Sequence, residues 1–203
     1  MLYQLAWLLG VLTLGLLSPG PDFLLVVTNS LGGSRRRALA TVAGIAVGLA
    51  AQMLVISLGL AAAPAIVLRV LQFGGAGFLT WIGLRALLAA PRSQPAASMA
   101  GYDRSGRSGF ADGLLCNLTN PKAFLFFVGL FVQVVRPDAP LLWRVVVPVV
   151  VVAHGAAMWS FVVFAVQAPP VAVRLARAQR WLPRAFGCAL LALAGWVAWG
   201  AWR

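Results

Sequence analysis

The sequence has few charged side chains, and acidic ones are the scarcest. Its 203 residues include no glutamate, four aspartates, one lysine and one histidine, and 10% of all residues are charged. Soluble domains average about 25% charged and about 45–50% apolar residues, whereas 62% of this chain is hydrophobic. A water-facing surface of ordinary polarity cannot be built from this supply, so we predict that the lipid bilayer is the solvent of the chain.

Several classes of site are excluded by the same scarcity. The two cysteines, Cys116 and Cys188, form neither a C-x-x-C motif nor a disulfide framework. One histidine and one acid within an apolar span do not make a metal cluster, and they give little for acid–base catalysis. The net charge of +12 is scattered between apolar runs instead of covering one solvated face. We therefore expect no metal, no cofactor, no enzyme activity and no nucleic-acid partner.

Long apolar runs are what the chain has in abundance. A transmembrane helix needs about 20 such residues, and six segments of about that length fill the sequence. The first begins without a preceding Lys or Arg, so we expect a retained helix instead of a cleaved signal peptide. The predicted fold is an all-α membrane protein with about six transmembrane helices, at 5–31, 38–63, 67–90, 113–135, 145–166 and 181–202.

The arginines predict the orientation of these helices. Eleven of them flank loops on one side of the predicted membrane and four flank loops on the other, with the intramembrane Lys122 left out. An excess of basic residues marks the cytoplasmic side, so both termini are predicted to be periplasmic. The larger group is Arg35, Arg36, Arg37, Arg85, Arg92, Arg104, Arg107, Arg174, Arg177, Arg180 and Arg184, and the smaller is Arg69, Arg136, Arg144 and Arg203.

The chain divides into two similar halves. We predict a three-helix repeat at 1–90, a polar cytoplasmic loop at 91–111 and a second three-helix repeat at 112–203. The first and fourth segments are each broken by a polar stretch with proline that follows Gly-Leu-Leu and precedes an aromatic and aliphatic run. Three crossings separate the two breaks, and an odd number inverts the second copy. Inverted repeats of this kind place substrate sites near the midplane, at discontinuous helices.

The helix breaks are the predicted binding site. Proline removes a backbone donor, and the freed groups are tolerated in a bilayer where they line a wet cavity or are satisfied by neighbouring helices. A simple proline kink is the alternative to a site. The candidate residues at the breaks are Pro19, Gly20, Pro21, Asn117, Asn120 and Pro121.

Two charges, Asp22 and Lys122, lie at matching places in the breaks. A charge at the bilayer centre costs roughly 2.5–3.5 kcal/mol on insertion scales, so we predict that both face the interior and pair. The pair could simply fix the packing. Alternatively, Asp22 receives the ammonium of a zwitterionic amino acid or a proton, and Lys122 with the freed N–H groups receives the carboxylate.

Other polar and small residues in the spans are weaker candidates. Asn29, Gln52 and His154 could line a cavity or relay protons, although helix–helix hydrogen bonds or a packed imidazole explain them equally well. Asp112 is predicted to cap the fourth helix at its positive end. Close helix contacts are predicted at a set of glycines, namely Gly44, Gly48, Gly74, Gly75, Gly77 and Gly83.

These motifs together resemble the LysE/RhtB family of bacterial exporters. Residues 18–23 match its Ser-Pro-Gly-Pro signature and residues 117–123 match its Asn-Pro-Lys signature. Residues 43–48 and 74–83 are similar to its glycine-bearing second and third helices. The resemblance covers essentially the whole chain. One departure is Phe-Val-Gln at 131–133, where many members carry Phe-Pro-Gln.

The resemblance implies export of amino acids or their derivatives across the bacterial inner membrane, commonly driven by the proton gradient. The Asp after Pro-Gly-Pro and the Ser-Gly-Arg-Ser at 105–108 are similar to the threonine/homoserine branch, which implies a small neutral substrate. The implied partners are an amino acid, protons, the lipid bilayer and a second copy of the chain. An exporter of another small solute or of a metal ion, or a membrane thiol–disulfide carrier, stays open, although Cys116 aligns with Ser18 and leaves no symmetric dithiol.

Overall fold

The computed structural model describes residues 2–18, 20–32, 34–88, 109–134, 139–168, 170, 174, 177 and 181–201. This described part is helical and contains no β-strand, which confirms the predicted all-α class. The predicted cytoplasmic loop falls almost entirely outside it. The helices are α1 (Leu2–Leu17), α2 (Pro21–Gly32), α3 (Arg35–Ala62), α4 (Ala65–Leu88), α5 (Gly109–Leu118), α6 (Pro121–Val134), α7 (Leu141–Gln167) and α8 (Leu182–Ala201).

The first and fourth predicted segments are each broken into two helices. α1 and α2 meet at 62°, and α5 and α6 meet at 59°. Among the described residues, α3 and α7 are each long and apolar enough to cross a membrane, and counting each bent pair as one crossing raises the number to four. The breaks are therefore confirmed, while the six crossings and their orientation stay predictions.

Proline fixes the start of the helix after each break. Pro21 is the first residue of α2 and Pro121 is the first residue of α6. The first helical position tolerates proline because its N–H would have no intrahelical partner there, and its fixed φ suits the helix. One turn further into a helix, a proline would remove a backbone hydrogen bond. Each proline therefore lies at a position where one helix has ended and the next begins.

The two halves pack against each other through close backbone contacts. α3 lies against α5 and α7, and α4 lies against α8 and α6. A Cβ at Gly44 would collide with backbone atoms of Phe110 and Leu114, and one at Gly113 would collide with the Thr41 carbonyl. Glycine at both positions therefore lets α3 and α5 cross with their backbones in contact.

The predicted glycine contacts are confirmed at three positions and wrong at two. Gly44 and Gly48 face α5, and a Cβ at Gly83 would lie 3.1 Å from the Gly187 carbonyl oxygen on α8. In contrast, nothing lies within 4 Å of a Cβ at Gly74 or Gly77, so these face away from the other helices. Both lie on the open side of α4, and the environment of Gly75 lies outside the described part.

Apolar side chains cover both the inside and the outside of the bundle. A large core cluster joins α1, α3, α4, α6, α7 and α8, and a smaller one around Phe23 and Trp159 joins α2, α3 and α7. Large apolar side chains such as Leu54, Phe73 and Phe161 are nevertheless more than half exposed. Exposure of this extent would be costly in water and suits a surface covered by lipid.

Asp112 does not cap a helix as predicted. α5 begins three residues earlier, at Gly109, so Asp112 lies in its first turn, still near the positive end of the helix dipole. Its Oδ2 accepts a 3.3 Å hydrogen bond from Nη2 of Arg37 on α3, and Oδ1 has no hydrogen-bond partner. The carboxylate therefore links two helices from different halves instead of closing one helix end.

Candidate functional site at the two helix breaks

Both helix breaks face one cavity of about 50 Å³. A cavity needs roughly 10–15 Å³ to hold one water molecule, so this cavity has room for a few waters. Its polar lining comes from both halves of the chain, and its apolar wall is largely aromatic. The polar or small lining residues are Gly15, Ser18, Gly20, Asp22, Asn117, Asn120 and Lys122, and the apolar ones include Phe23, Leu49, Phe126, Phe127, Trp159 and Phe186.

Two asparagines hold the Asp22 carboxylate. Nδ2 of Asn117 donates to its Oδ2 at 3.1 Å, and Nδ2 of Asn120 donates to the same atom at 3.3 Å. The Cys116 thiol lies beside the carboxylate as well. Asp22 is only 8% exposed, yet among the described residues no side chain or backbone group lies within hydrogen-bond geometry of its Oδ1. One carboxylate oxygen is thus fixed by the second half of the chain, while the other is left available in a residue that lines the cavity.

The Lys122 ammonium crosses from the second break to the first. Its Nζ lies 3.5 Å from the position that a Cβ would take at Gly20. It is also close enough to Asp22 for Coulombic attraction. The structure therefore brings both predicted charges to the same cavity, and the Lys122 ammonium lies beside Gly20. A direct ion pair between them stays a prediction.

Asn120 has two functions at the second break. Its Oδ1 accepts a 3.2 Å hydrogen bond from the backbone N–H of Ala123, as the N-cap residue of α6 does. Its Nδ2 is then left to donate to Asp22. One amide side chain therefore begins α6 and orients the buried carboxylate.

The prolines of the predicted site shape the breaks. Pro21 and Pro121 are exposed residues that begin α2 and α6, and neither lines the cavity. Gly20 does line it, and the ammonium of Lys122 approaches it closely. Pro19 lies outside the described residues. Of the predicted break residues that the structure describes, the glycine, the two asparagines and the two charges thus meet at one place.

Gln52 has a function that the sequence did not predict. Pro121 has no N–H, so the carbonyl four residues earlier, that of Asn117, lacks its usual helical donor. Nε2 of Gln52 donates to this oxygen at 2.8 Å, and the backbone N–H of Asn120 donates to it at 3.1 Å. The signal in the sequence is an amide side chain in an apolar span of a chain whose prolines leave backbone carbonyls without their usual donors. This signal does not identify the carbonyl to which the amide will donate.

Asn29 and His154 lie away from the cavity. Nδ2 of Asn29 donates to Oγ1 of Thr41 at 2.9 Å and so joins α2 to α3. Nε2 of His154 lies 2.9 Å from Oγ1 of Thr13, whose hydroxyl already donates to the Leu9 carbonyl. The Nε2–H of the imidazole is therefore the donor to Thr13, and this hydrogen bond joins α7 to α1.

The aromatic wall of the cavity was also missed by sequence reasoning. Phe126 and Phe186 pack edge to face with ring centroids 5.6 Å apart. A Cβ at Gly15 would lie 3.1 Å from each ring, so glycine there makes room for both. The run of phenylalanines directly after Asn-Pro-Lys was the available signal, but phenylalanine is so frequent in membrane helices that it does not single out a cavity.

A sequence profile of the LysE type translocator family matches residues 13–200. The chain belongs to the LysE type translocator family. This confirms the resemblance carried by the two broken segments. With its apolar helices, membership of this family makes the chain a multi-pass protein of the inner membrane.

Named relatives of this LysE type translocator include efflux proteins. It is similar to the threonine efflux protein of Salmonella typhi, with 38% identity over 122 residues that cover 57% of this chain and 59% of the relative. It is also similar to the homoserine/homoserine lactone efflux protein of Salmonella typhimurium, with 32% identity over 133 residues and 64% of each chain covered. An uncharacterized membrane protein of Vibrio cholerae is 29% identical over 136 residues, which cover 66% of this chain and 65% of that one.

These matches span about three fifths of the length of the first two curated relatives. No solved structure matches the chain.

Proposed function

We propose that this LysE type translocator exports small neutral amino acids or their derivatives, such as threonine and homoserine, through the cavity between its helix breaks. The observation that carries the proposal is that Asp22 and Lys122, of opposite sign, both line one cavity. The names of the relatives, a threonine efflux protein and a homoserine/homoserine lactone efflux protein, support the substrate class.

A zwitterionic amino acid fits the two charges of the cavity. Its ammonium group has donors for Oδ1 of Asp22, which has no hydrogen-bond partner. Its carboxylate is attracted by Lys122 and by the positive N-terminal ends of α2 and α6, which begin at the breaks. Such a substrate offers each of the two side chains a group of opposite charge.

The small and apolar surroundings favour a neutral side chain on the substrate. The cavity is about 50 Å³ and has an aromatic wall, so a large side chain would have to displace packed rings. Among the described residues, Asp22 is the one acidic residue that lines it. A cationic side chain would therefore compete with the substrate ammonium for the same carboxylate.

The proposed architecture has six crossings in two inverted repeats, with both termini in the periplasm. α4 and α8 have 24 and 20 residues, and at about 1.5 Å per residue they reach about 36 and 30 Å, enough for the hydrocarbon core. In addition, α3 packs on α7 and α4 packs on α8, so corresponding helices of the two halves adjoin, which is compatible with a two-fold axis that passes between them. Transport then proceeds by rocking of one half against the other around the breaks.

Proton-driven export is part of the proposal, because the Asp22 carboxylate can hold a proton or a substrate ammonium and the two compete for one site. A homodimer is a separate prediction.

Efflux from preloaded cells tests the proposed function. Cells that express the chain are loaded with labelled threonine, homoserine and a wider amino-acid panel, and release is followed with and without a protonophore. We expect faster release of small neutral amino acids than from cells without the protein, and we expect the protonophore to slow it. Absence of release of every panel member from a well-inserted protein would contradict the proposed function.

A further inference from the structure

A chain of contacts leads from α3 to the Asp22 carboxylate. It begins at the Asn117 carbonyl, which lacks the N–H donor four residues later because residue 121 is proline. This carbonyl accepts the 2.8 Å hydrogen bond from Nε2 of Gln52 and a 3.1 Å hydrogen bond from the backbone N–H of Asn120. Gln52 is only 4% exposed and does not line the cavity. Its amide therefore contacts the second helix break from the side of α3 and does not face the space where a substrate would bind.

α3 also holds the side chain of Asn117. Gly48 lies one helical turn before Gln52 and so faces the same side of α3. A Cβ at Gly48 would lie 2.9 Å from Oδ1 of Asn117 and 3.1 Å from its Cβ. The space left by this glycine is filled by the asparagine, which is only 2% exposed. The backbone carbonyl and the side chain of Asn117 are thus both fixed by the same face of α3.

The fixed asparagine orients Asp22. Its Nδ2 donates to Oδ2 of the carboxylate, and Oδ1 is left without a partner. We infer that Gln52 is a positioning residue for the ammonium-binding oxygen of Asp22, acting through Asn117. The inference rests on the proposed function, and it assigns Gln52 to only one end of the substrate.

The other end of the substrate depends on a different helix. Lys122 lies on α6, beyond Pro121, whereas Gln52 and Gly48 contact Asn117 on α5. Loosening of Asn117 therefore disturbs the carboxylate of Asp22 more than the ammonium of Lys122. Loosening of Asn117 should therefore weaken the binding of all substrates that carry an ammonium group by the same factor, whether or not they also carry a free carboxylate.

L-homoserine and L-homoserine lactone separate the two ends of the substrate, because the lactone keeps the ammonium but has its carboxylate closed into an ester. Uptake of each labelled compound is measured over a concentration range in inside-out membrane vesicles. The variants are Gln52→Met, of similar length but without a donor, Lys122→Met, and Thr28→Val as the control. In the part of the chain that the structure describes, the hydroxyl of Thr28 donates only to carbonyls of its own helix, and it lies away from the cavity.

We expect Gln52→Met to raise KM for homoserine and for the lactone by the same factor, up to about tenfold for one lost hydrogen bond, with kcat changed less than about twofold. Lys122→Met raises KM for homoserine and spares the lactone. Gly48→Ala displaces the side chain of Asn117 and leaves residue 52 as glutamine. We expect it to raise KM for homoserine and for the lactone as Gln52→Met does, and it replaces Gln52→Met in the experiment if that variant does not insert. Thr28→Val matches the wild type.

A double variant shows whether Gln52 acts through Asn117. We expect Gln52→Met to add nothing to the KM of Asn117→Leu, because the link is already broken, whereas an independent packing effect adds to it. Additive effects, an unchanged KM in Gln52→Met, or a loss confined to homoserine would overturn the inference. If the wild type carries homoserine but not the lactone, the double variant is measured with homoserine alone, and additive effects there overturn the inference. A wild type that carries neither would contradict the proposed function itself.

Discussion

The side-chain amide of Asn117 donates a 3.1 Å hydrogen bond to the carboxylate of Asp22, 95 residues earlier in the chain. Asn120 donates to the same oxygen from 98 residues away. The two helix breaks are therefore parts of one site, since Asp22 belongs to one half of the chain and its amide donors belong to the other. The site is complete only when the halves are packed together.

Asn120 allows the cap of α6 to be separated from the orientation of Asp22. Aspartate and serine are both good N-cap residues, so Asn120→Asp and Asn120→Ser should each retain α6. Asn120→Asp, however, places a second carboxylate about where the amide now lies, 3.3 Å from Oδ2 of Asp22, and like charges at such a distance repel. We expect export to fall at least about tenfold in Asn120→Asp and less in Asn120→Ser.

Efflux and thermal unfolding of the two purified variants check this prediction. Equal export by Asn120→Asp and the wild type would show that the amide does not orient a charged Asp22.

Gly44 tests the close crossing of α3 and α5. A Cβ there would collide with backbone atoms of Phe110 and Leu114, and backbone atoms cannot give way as a flexible side chain can. We expect Gly44→Ala to destabilise the protein by several kcal/mol, as overpacking does. Gly59→Ala is the matched control on the same helix, because nothing lies within 4 Å of its Cβ.

The two variants are compared by their midpoints of thermal unfolding in one detergent. Similar midpoints for Gly44→Ala and Gly59→Ala would mean that the helices do not cross at this distance.

The ion pair of Arg37 and Asp112 predicts an unequal response to its two partners. The Asp112 side chain is 5% exposed and that of Arg37 is 33% exposed. Removing the arginine leaves a buried carboxylate without its counter-charge, which is costly, whereas removing the carboxylate leaves an arginine that can reach water. We expect Arg37→Met to lower the unfolding midpoint more than Asp112→Asn. The reverse order in the same detergent would contradict this account of the pair.

His154 is expected to affect stability more than transport. Its hydrogen bond to Thr13 joins α7 to α1 outside the cavity, and such contacts within membranes contribute about 0.6 kcal/mol on average. His154→Leu should therefore keep export within about twofold of the wild type, with the same sensitivity to a protonophore. Loss of that sensitivity in His154→Leu would instead assign the histidine to proton transfer.

The helix breaks and the buried charges could be predicted from the sequence because their causes are local. Proline inside a helix removes a backbone donor and kinks or breaks it. Pro148 lies inside α7 without ending it, whereas Pro21 and Pro121 follow a glycine or asparagines that also favour a break. Asp22 and Lys122 in apolar runs must face the protein interior. No knowledge of the neighbouring helices is needed for either statement. The start and end of each helix could therefore be predicted within a few residues.

The partners of the polar residues could not be predicted in this way. Gln52, Asn29 and His154 looked alike in the sequence, yet only Gln52 contacts a break. The glycines show the same limit, since Gly44 lies at a helix crossing and Gly74 faces open space. Which face of an apolar helix meets a neighbour depends on the packing, because every face is apolar and hydrophobic periodicity carries little information.

Release of labelled threonine from liposomes that contain the purified protein tests the central claim most directly, namely that Asp22 and Lys122 bind the two ends of an amino acid. We predict that the wild type releases threonine, and that Asp22→Asn and Lys122→Met each fold normally and release it at least about tenfold more slowly, since each leaves one end of the substrate uncompensated. If both variants are well folded and release threonine at the wild-type rate, the account of the site is wrong.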